Sequence, residues 1–511
     1  VYHEDNFART AQLRMIWPTV EQFSDDSYAL DYLAALLSQG KKAPLYKVLE
    51  KEKMLTSSYY AYNSSQEIAG AFNIVVTANA GVSLKEVEAG VFEAFDMFEK
   101  EGFTDADVER IKAGLETGFY NSISSVLGKS FQLATYNEYA GDPSYYKTDI
   151  AKMKAVTKDD ILRVYDKYIK GKPYLATSFV PKGHLEMVAE GSVPANVVEE
   201  DISSATNVKI DDDEEEEIVK TKTSFDRSVQ PQNGEDPLLN IPVVWNDEIA
   251  NGMQVYGIEQ NELPMIQFNI IIEGGHYLDA MDKPGVANLL ASLLMEGTQN
   301  KTPQELEEAI DALGASIRIR STNNSIMVMG NTLSRNFIPT LDLVKEILLE
   351  PRWDEEEFVL AKKSVMNRLI RQKADPGSLA RSAFMRLVYG DDHIYSLDQN
   401  GTPESVEAIT MDDLKAYYDA NFSPSVSSFL IAGDIKQNEV ISALTELNEN
   451  WKAKEVFFPV YELPAPIEKS KIYFVDVPGA KQSVINIGNL SLSSLDADYY
   501  PADVMNYKLG G

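Results

Sequence analysis

The strongest constraint on this chain is self-similarity at a separation of about 250 residues. A strand over Gln12–Met15, a helix over Tyr28–Leu37 and Ser38-Gln39-Gly40 come first. They recur in order as a strand over Phe268–Ile272, a helix over Ala287–Leu294 and Met295-Glu296-Gly297. Gly40 and Gly297 stand 257 residues apart, as do Leu36-Leu37 and Leu293-Leu294. Further on, Val156-Thr157 with Asp159-Asp160-Ile161 is echoed by Ile409-Thr410 with Asp412-Asp413-Leu414. The strand Leu175–Val180 before Pro181-Lys182-Gly183 is echoed by Ser427–Ala432 before Gly433-Asp434. So many features at a nearly fixed separation point to one structural unit present twice.

Each copy reads as strand, helix, helix, strand, then several long amphipathic helices and a last strand. Ser83 and Glu86 have capping-box spacing, and Leu84, Val87, Val91, Phe95 and Phe98 then form an apolar helical stripe. Thr302 and Glu305 repeat that spacing, with Pro303 at the first helical position, where its missing N–H costs nothing. Such stripes face a core. Alternating strands mixed with grouped helices predict an α+β fold, each copy a mostly antiparallel sheet with helices packed on one face.

The texture between the copies differs. The run Asp211-Asp212-Asp213-Glu214-Glu215-Glu216-Glu217 sits among Ser, Thr and Asn, and contiguous carboxylates repel one another and stay solvated. No glycine or oxygen-ligand spacing there matches a calcium loop, so a linker is expected. Near the end, Asp498-Tyr499-Tyr500-Pro501-Ala502-Asp503-Val504 matches Asp26-Ser27-Tyr28-Ala29-Leu30-Asp31-Tyr32, 472 residues earlier. The expected organisation is therefore one domain over residues 1–200, an acidic linker over 201–235, a second domain over 236–460, and over 461–511 a linker and the opening of a further copy. The sequence reads as a fragment of a longer protein.

Composition narrows the functions open to such a chain. Against 47 Lys and Arg stand 79 Asp and Glu, a formal charge of −32. A surface this acidic repels nucleic-acid phosphates and attracts basic peptides or cations. There are no cysteines, which excludes disulfides, thiolate nucleophiles and cysteine metal sites. No apolar run approaches the roughly 18–20 residues that span a bilayer. The four histidines, His3, His184, His276 and His393, are far apart in sequence, so no helical pair can grip a metal from one face. Each is expected at a surface or in a loop. The G-x-S-x-G elbow, the phosphate loop and the dinucleotide fingerprint are absent.

One segment carries a resemblance. Gly285-Val286-Ala287-Asn288-Leu289-Leu290-Ala291-Ser292-Leu293-Leu294-Met295-Glu296-Gly297-Thr298 resembles the metal helix of the insulinase/pitrilysin-like (inverzincin) zinc metallopeptidases, whose usual form is G-x-A-H-F-L-E-H-M-L-F-K-G-T. Glu273-Gly274-Gly275, Ala309–Ile317 with Leu313-Gly314, and in the first copy Gly40, Pro44-Leu45 and Tyr59–Ser65 fit the same family. The likeness covers both copies and the third opening, nearly the whole chain outside the acidic linker.

The family chemistry does not carry over to these residues. The inverted motif H-x-x-E-H supplies two zinc ligands and a water-activating glutamate. Asn288, Ala291 and Ser292 stand at those positions, and an amide, a methyl and a hydroxyl cannot replace them. The distant glutamate ligand should fall on the helix Glu356–Arg371, where the matching stretch Ser364-Val365-Met366-Asn367-Arg368-Leu369 holds no carboxylate. The family's substrate-holding Arg and Tyr match Glu50 and Ser57 in the first copy. No catalytic or metal residue is therefore expected in this chain. The resemblance implies a zinc-dependent endopeptidase parent that degrades short or unfolded peptides in a clamshell chamber. Its zinc and substrate clamp would lie outside these residues, which would form chamber wall. It equally admits a non-catalytic scaffold or substrate-recognition subunit beside an active partner. Peptide substrates, basic segments among them, and the missing domains or a homologous subunit are the expected partners. A periplasmic or cell-envelope location is the first expectation and the cytoplasm the alternative.

Overall fold

The computed structural model describes residues 1–6, 8–195, 226, 228–230, 234, 241–373, 375–462, 469–477 and 482–510. The acidic run Asp211–Glu217 lies outside them. The first sheet contains β1 (Tyr2–Asp5), β2 (Gln12–Thr19), β3 (Thr56–Ser65), β4 (Gly70–Ala78) and β5 (Leu175–Pro181), in the order β1-β5-β2-β4-β3. The second contains β6 (Trp245–Glu248), β7 (Gln254–Glu259), β8 (Met265–Glu273), β9 (Ser316–Ser321), β10 (Ser325–Leu333) and β11 (Ser427–Gly433), ordered β6-β7-β11-β8-β10-β9. Apart from the added edge strand β6, the two sheets have one order and one sense. β1 runs parallel to β5 as β7 does to β11, and the other pairs are antiparallel.

Alternation decides which sheet face is covered. Leu13, Met15 and Trp17 of β2 point into the first core with Phe72, Ile74 and Val76 of β4. Ile266, Phe268, Ile270 and Ile272 of β8 do the same in the second core with Val328 of β10 and Phe429 of β11. Over the first core lie α1 (Asp25–Ser38), α2 (Leu84–Glu101), α3 (Asp105–Ser122), α4 (Val126–Tyr139), α5 (Tyr146–Ala155) and α6 (Lys158–Val164). With the second sheet go α7 (Val286–Leu293), α8 (Pro303–Ala312), α9 (Phe337–Leu349), α10 (Glu355–Gln372), α11 (Pro376–Tyr389), α12 (Pro403–Ala408) and α13 (Met411–Asn421). The shorter α14 (Gln437–Ala443) and α15 (Thr445–Asn450) close that unit. Ser83 and Thr302 make the expected reciprocal capping boxes with Glu86 and Glu305.

Besides the edge strand β6, the element order read from sequence needs two added strands in each unit. A short strand, β1 or β7, leads in, and a second central strand, β4 or β10, follows the first return strand. β1 spells Tyr-His-Glu-Asp, with no apolar alternation. In β4 Phe72–Val76 are buried on both faces, so the strand lacks the period-two signal. The third opening contributes α16 (Tyr499–Gly510), exposed along almost its whole length.

The two units touch. Arg110 of α3 donates to Asp311 of α8 at 2.9 Å, and Arg335 donates to Glu116 of α3 at 2.9 Å. The Asn331 amide reaches Asn121 at 2.9 Å. Gly314, in the left-handed region at φ 57°, brings its backbone so close to α3 that a Cβ would lie 2.5 Å from the Ala113 carbonyl oxygen. Only glycine satisfies both conditions.

Candidate functional site

Helix α7 carries Asn288, Ala291 and Ser292, and its placement begins at the end of β8. The turn Gly274-Gly275 leads into a short 3₁₀ turn, Gly275–Leu278, which drives His276 into the interior, about 1% exposed. Nδ1 of His276 lies 2.9 Å from a carboxylate oxygen of Asp279. Its Nε2 lies 3.1 Å from the Ile394 carbonyl and 3.2 Å from that of Leu397. Asp279 in turn accepts from the N–H groups of Gly285 and Ala287, each at 2.9 Å. Those are orphan donors of the first turn of α7, and a carboxylate there also complements the helix dipole.

Beyond that cap α7 is nearly all apolar and buried: Val286, Ala287, Leu289, Leu290, Ala291 and Leu293 lie in the core. Ala291 is 2% exposed, so its methyl is packed rather than facing a solvent-filled cavity. Ser292 returns its hydroxyl to the Asn288 carbonyl at 3.1 Å. The Asn288 amide nitrogen is buried with no hydrogen-bond partner among the described residues. Helix α10, which packs against α7, puts Val365 and Leu369 in the same core. An amide without a partner, a sealed methyl and an internally bonded hydroxyl do not form a zinc donor set. Among the described residues no three His, Asp or Glu side chains are grouped so as to hold a metal ion.

The far end of α7 meets the first unit. Glu296, one turn past Ser292, accepts from the Lys41 ammonium, and Glu307 of α8 accepts from the Lys41 backbone N–H. Lys363 of α10 reaches the sulfur of Met54 at 3.4 Å. Glu50 is half-buried on the π-helical turn Tyr46–Glu52, and Ser57 is exposed at the start of β3. Burial raises the carboxyls of Glu50, Glu307 and Glu357, with the charge of Lys41 opposing the rise in each case. Lys41 among the carboxylates of Glu50, Glu296, Glu307 and Glu357 makes this an acidic junction, unlike an arginine-tyrosine clamp.

Of the two positions expected for the histidines, surface or loop, His276 and His393 do not take the surface: they are buried, 1% and 5% exposed, His276 on the connecting 3₁₀ turn and His393 in the loop that caps the turn Ile394–Ser396. Local fold contacts satisfy each of them. His393 accepts from the Tyr395 N–H at 3.1 Å and lies among the rings of Tyr389, Tyr395 and Tyr461. The sequence signal available for His276 was the i,i+3 spacing to Asp279 just ahead of the helix.

The family model described as "Peptidase M16 inactive domain" matches residues 1–115 and 408–511, and "Insulinase (Peptidase family M16)" matches residues 258–393. An uncharacterized zinc protease of Streptomyces coelicolor is 22% identical over 44% of this chain and 50% of its own length. A non-peptidase homolog of Helicobacter pylori is 22% identical over 50% of this chain and 58% of its own. A solved M16 inactive domain from Pseudomonas fluorescens aligns at 24% identity and a TM-score of 0.42, covering 44% of this chain and 54% of that one. The chain spans about half the length of these curated relatives. No helix among the described residues is long and apolar enough to cross a membrane.

Proposed function

The chain belongs to the insulinase (M16) peptidase family, and on that premise we propose that it is a non-catalytic portion of a zinc-dependent endopeptidase. It forms wall and hinge of a chamber in which short or unfolded peptides are cut. The zinc is bound by other domains of the parent. Residues 1–200 and 236–460 are two peptidase-family domains of a repeat, 201–235 the acidic linker, and 461–511 the entry to a further repeat. The observation that carries the reading is α7, which keeps the family's buried helix while its three chemical positions hold Asn288, Ala291 and Ser292. The free edge of β9 supports a peptide-handling role, because an extended segment can add there through backbone hydrogen bonds. The acidic surface favours basic segments arriving from solution. A periplasmic or cell-envelope location fits a chain without cysteine.

A second reading has its own support. Relatives include a protein named as a non-peptidase homolog, so the parent as a whole could serve as a scaffold or substrate-recognition subunit beside an active peptidase. Elemental zinc analysis with peptidase assays on this chain and on the full-length parent separates the two. Zinc and activity in the parent, with neither in the chain, is the expected result. Zinc in neither hands the case to the scaffold, and stoichiometric zinc in the chain overturns the reading of α7.

A further inference from the structure

Strand β9 closes one edge of the second sheet, pairing with β10 alone among the described residues. Its sequence is Ser316-Ile317-Arg318-Ile319-Arg320-Ser321. Ile317 is buried toward the helices and Ile319 half-buried, so Arg318 and Arg320 share the opposite, open face and are exposed. In register they stand beside Met329 and Met327 of β10 and, one strand further, Asn269 and Ile271 of β8. The row therefore runs from two guanidiniums onto a floor of two thioethers and an isoleucine. Arg320 contacts the Met327 sulfur at 3.9 Å. Neither arginine forms an ion pair among the described residues, in a chain with 79 Asp and Glu to choose from.

We propose that the free edge of β9 selects an extended peptide segment bearing two carboxylates at alternate positions, set across from Arg318 and Arg320. This rests on the peptide-handling reading above and names the chemistry selected at one edge. Alternate side chains of a strand are spaced roughly 6.6–6.8 Å apart on one face, so an added strand repeats the arginine spacing. Directly opposed residues place their Cβ atoms about 4.5–5.5 Å apart, within reach of a guanidinium–carboxylate pair. The bulk charge of −32 opposes an acidic ligand. Selection at this edge is therefore local, and it weakens as salt screens the pairs.

The test uses this chain and three labelled ten-residue peptides identical except for Glu, Gln or Lys at two alternate central positions. Binding is read by fluorescence anisotropy, and the bound edge by protection of β9 amides from hydrogen exchange. The Glu peptide is expected to bind at least about tenfold more tightly than the Lys peptide at low salt. Changing Arg318→Gln with Arg320→Gln should erase that preference, and Arg318→Glu with Arg320→Glu should invert it. Equal binding of all three peptides with β9 protected would leave strand addition standing and overturn the charge selection, leaving the arginines as guards against edge-to-edge pairing. No protection of β9 by any peptide would overturn the inference together with the peptide-handling reading on which it rests. Protection of β9 without added peptide, lost when Asp211–Glu217 are changed to serine, would give the edge to the chain's own acidic run and overturn an external ligand.

Discussion

Asp279 holds His276 at 2.9 Å with an oxygen that also accepts from the N–H of Gly285, while its other oxygen accepts from Ala287. One buried carboxylate thus ties the end of β8 to the start of α7. Where zinc would fix such a helix from its middle, this chain fixes it from its N-terminus.

Replacing Asp279 by Ala should therefore do disproportionate damage. It removes the partner of His276 Nδ1 and leaves two helix N–H donors buried without acceptors, a loss of roughly 3–5 kcal/mol by the usual cost of orphaned buried polar groups. Asp279→Asn keeps one acceptor and should cost less. Urea unfolding followed by far-UV circular dichroism gives both values. A loss below about 1 kcal/mol for Asp279→Ala would show that α7 is held by its apolar face alone.

The junction between the units should respond to pH with two opposite signs. Burial is the largest influence on Glu307 and Asp311 and raises both carboxyls, with Lys41 and Arg110 only partly opposing it. A raised carboxyl binds its proton more tightly when folded, so its contribution to stability grows as pH falls toward the unfolded value near 4. Burial also pushes Glu116 up, but Arg335 and Lys154 outweigh it and leave this carboxyl lowered. Its stabilisation is present above about pH 4.5 and is lost as pH falls through the folded value. The denaturant midpoint should thus rise as pH falls from neutral toward the unfolded carboxyl value near 4, and fall as pH drops below it. Glu307→Gln with Asp311→Asn should flatten the rise, and Glu116→Gln should blunt the fall.

A steric change at the same junction separates contact from charge. Gly314→Val puts a β-branched side chain at φ 57°, and its Cβ would lie 2.5 Å from the Ala113 carbonyl oxygen. The backbone strain alone costs of order 1–3 kcal/mol, and parting α3 from the α8–β9 turn relieves the clash. Small-angle scattering should show a larger radius of gyration, with each unit's circular dichroism retained. An unchanged radius would mean that the turn yields while the units stay together.

Much of this architecture was legible because it rests on local chemistry. The capping boxes at Ser83 and Thr302, and the stripe from Leu84 to Phe98, are patterns within a few residues, and the structure realises them. Strand β4 was not legible because Phe72–Val76 are buried on both faces and give no alternation. The role of His276 was hidden for another reason: two of its partners, Ile394 and Leu397, lie more than a hundred residues away. The junction of Lys41 with Glu296 and Glu307 could not be read either, because it joins two units whose relative placement no local pattern encodes.

Restoring metal ligands on α7 probes how far the helix has been repacked. Asn288→His with Ser292→His recreates an i,i+4 pair on one helix face, the minimum geometry for gripping zinc. Both positions are half-buried, so imidazoles can be accommodated there. Two ligands are one short of the three protein ligands in a catalytic zinc site, and α10 offers no carboxylate over Ser364–Leu369. The pair should take up zinc in a titration yet lose it on dialysis against buffer. Adding Ser364→Glu or Asn367→Glu should make the metal survive dialysis at the position whose side chain faces the pair. Ala291→Glu, needed for a water-activating base, should instead destabilise the fold, because a carboxylate would replace a methyl that is 2% exposed in an apolar core. Stoichiometric zinc surviving dialysis in the two-histidine variant alone would show that another residue near α7 already serves as a third ligand.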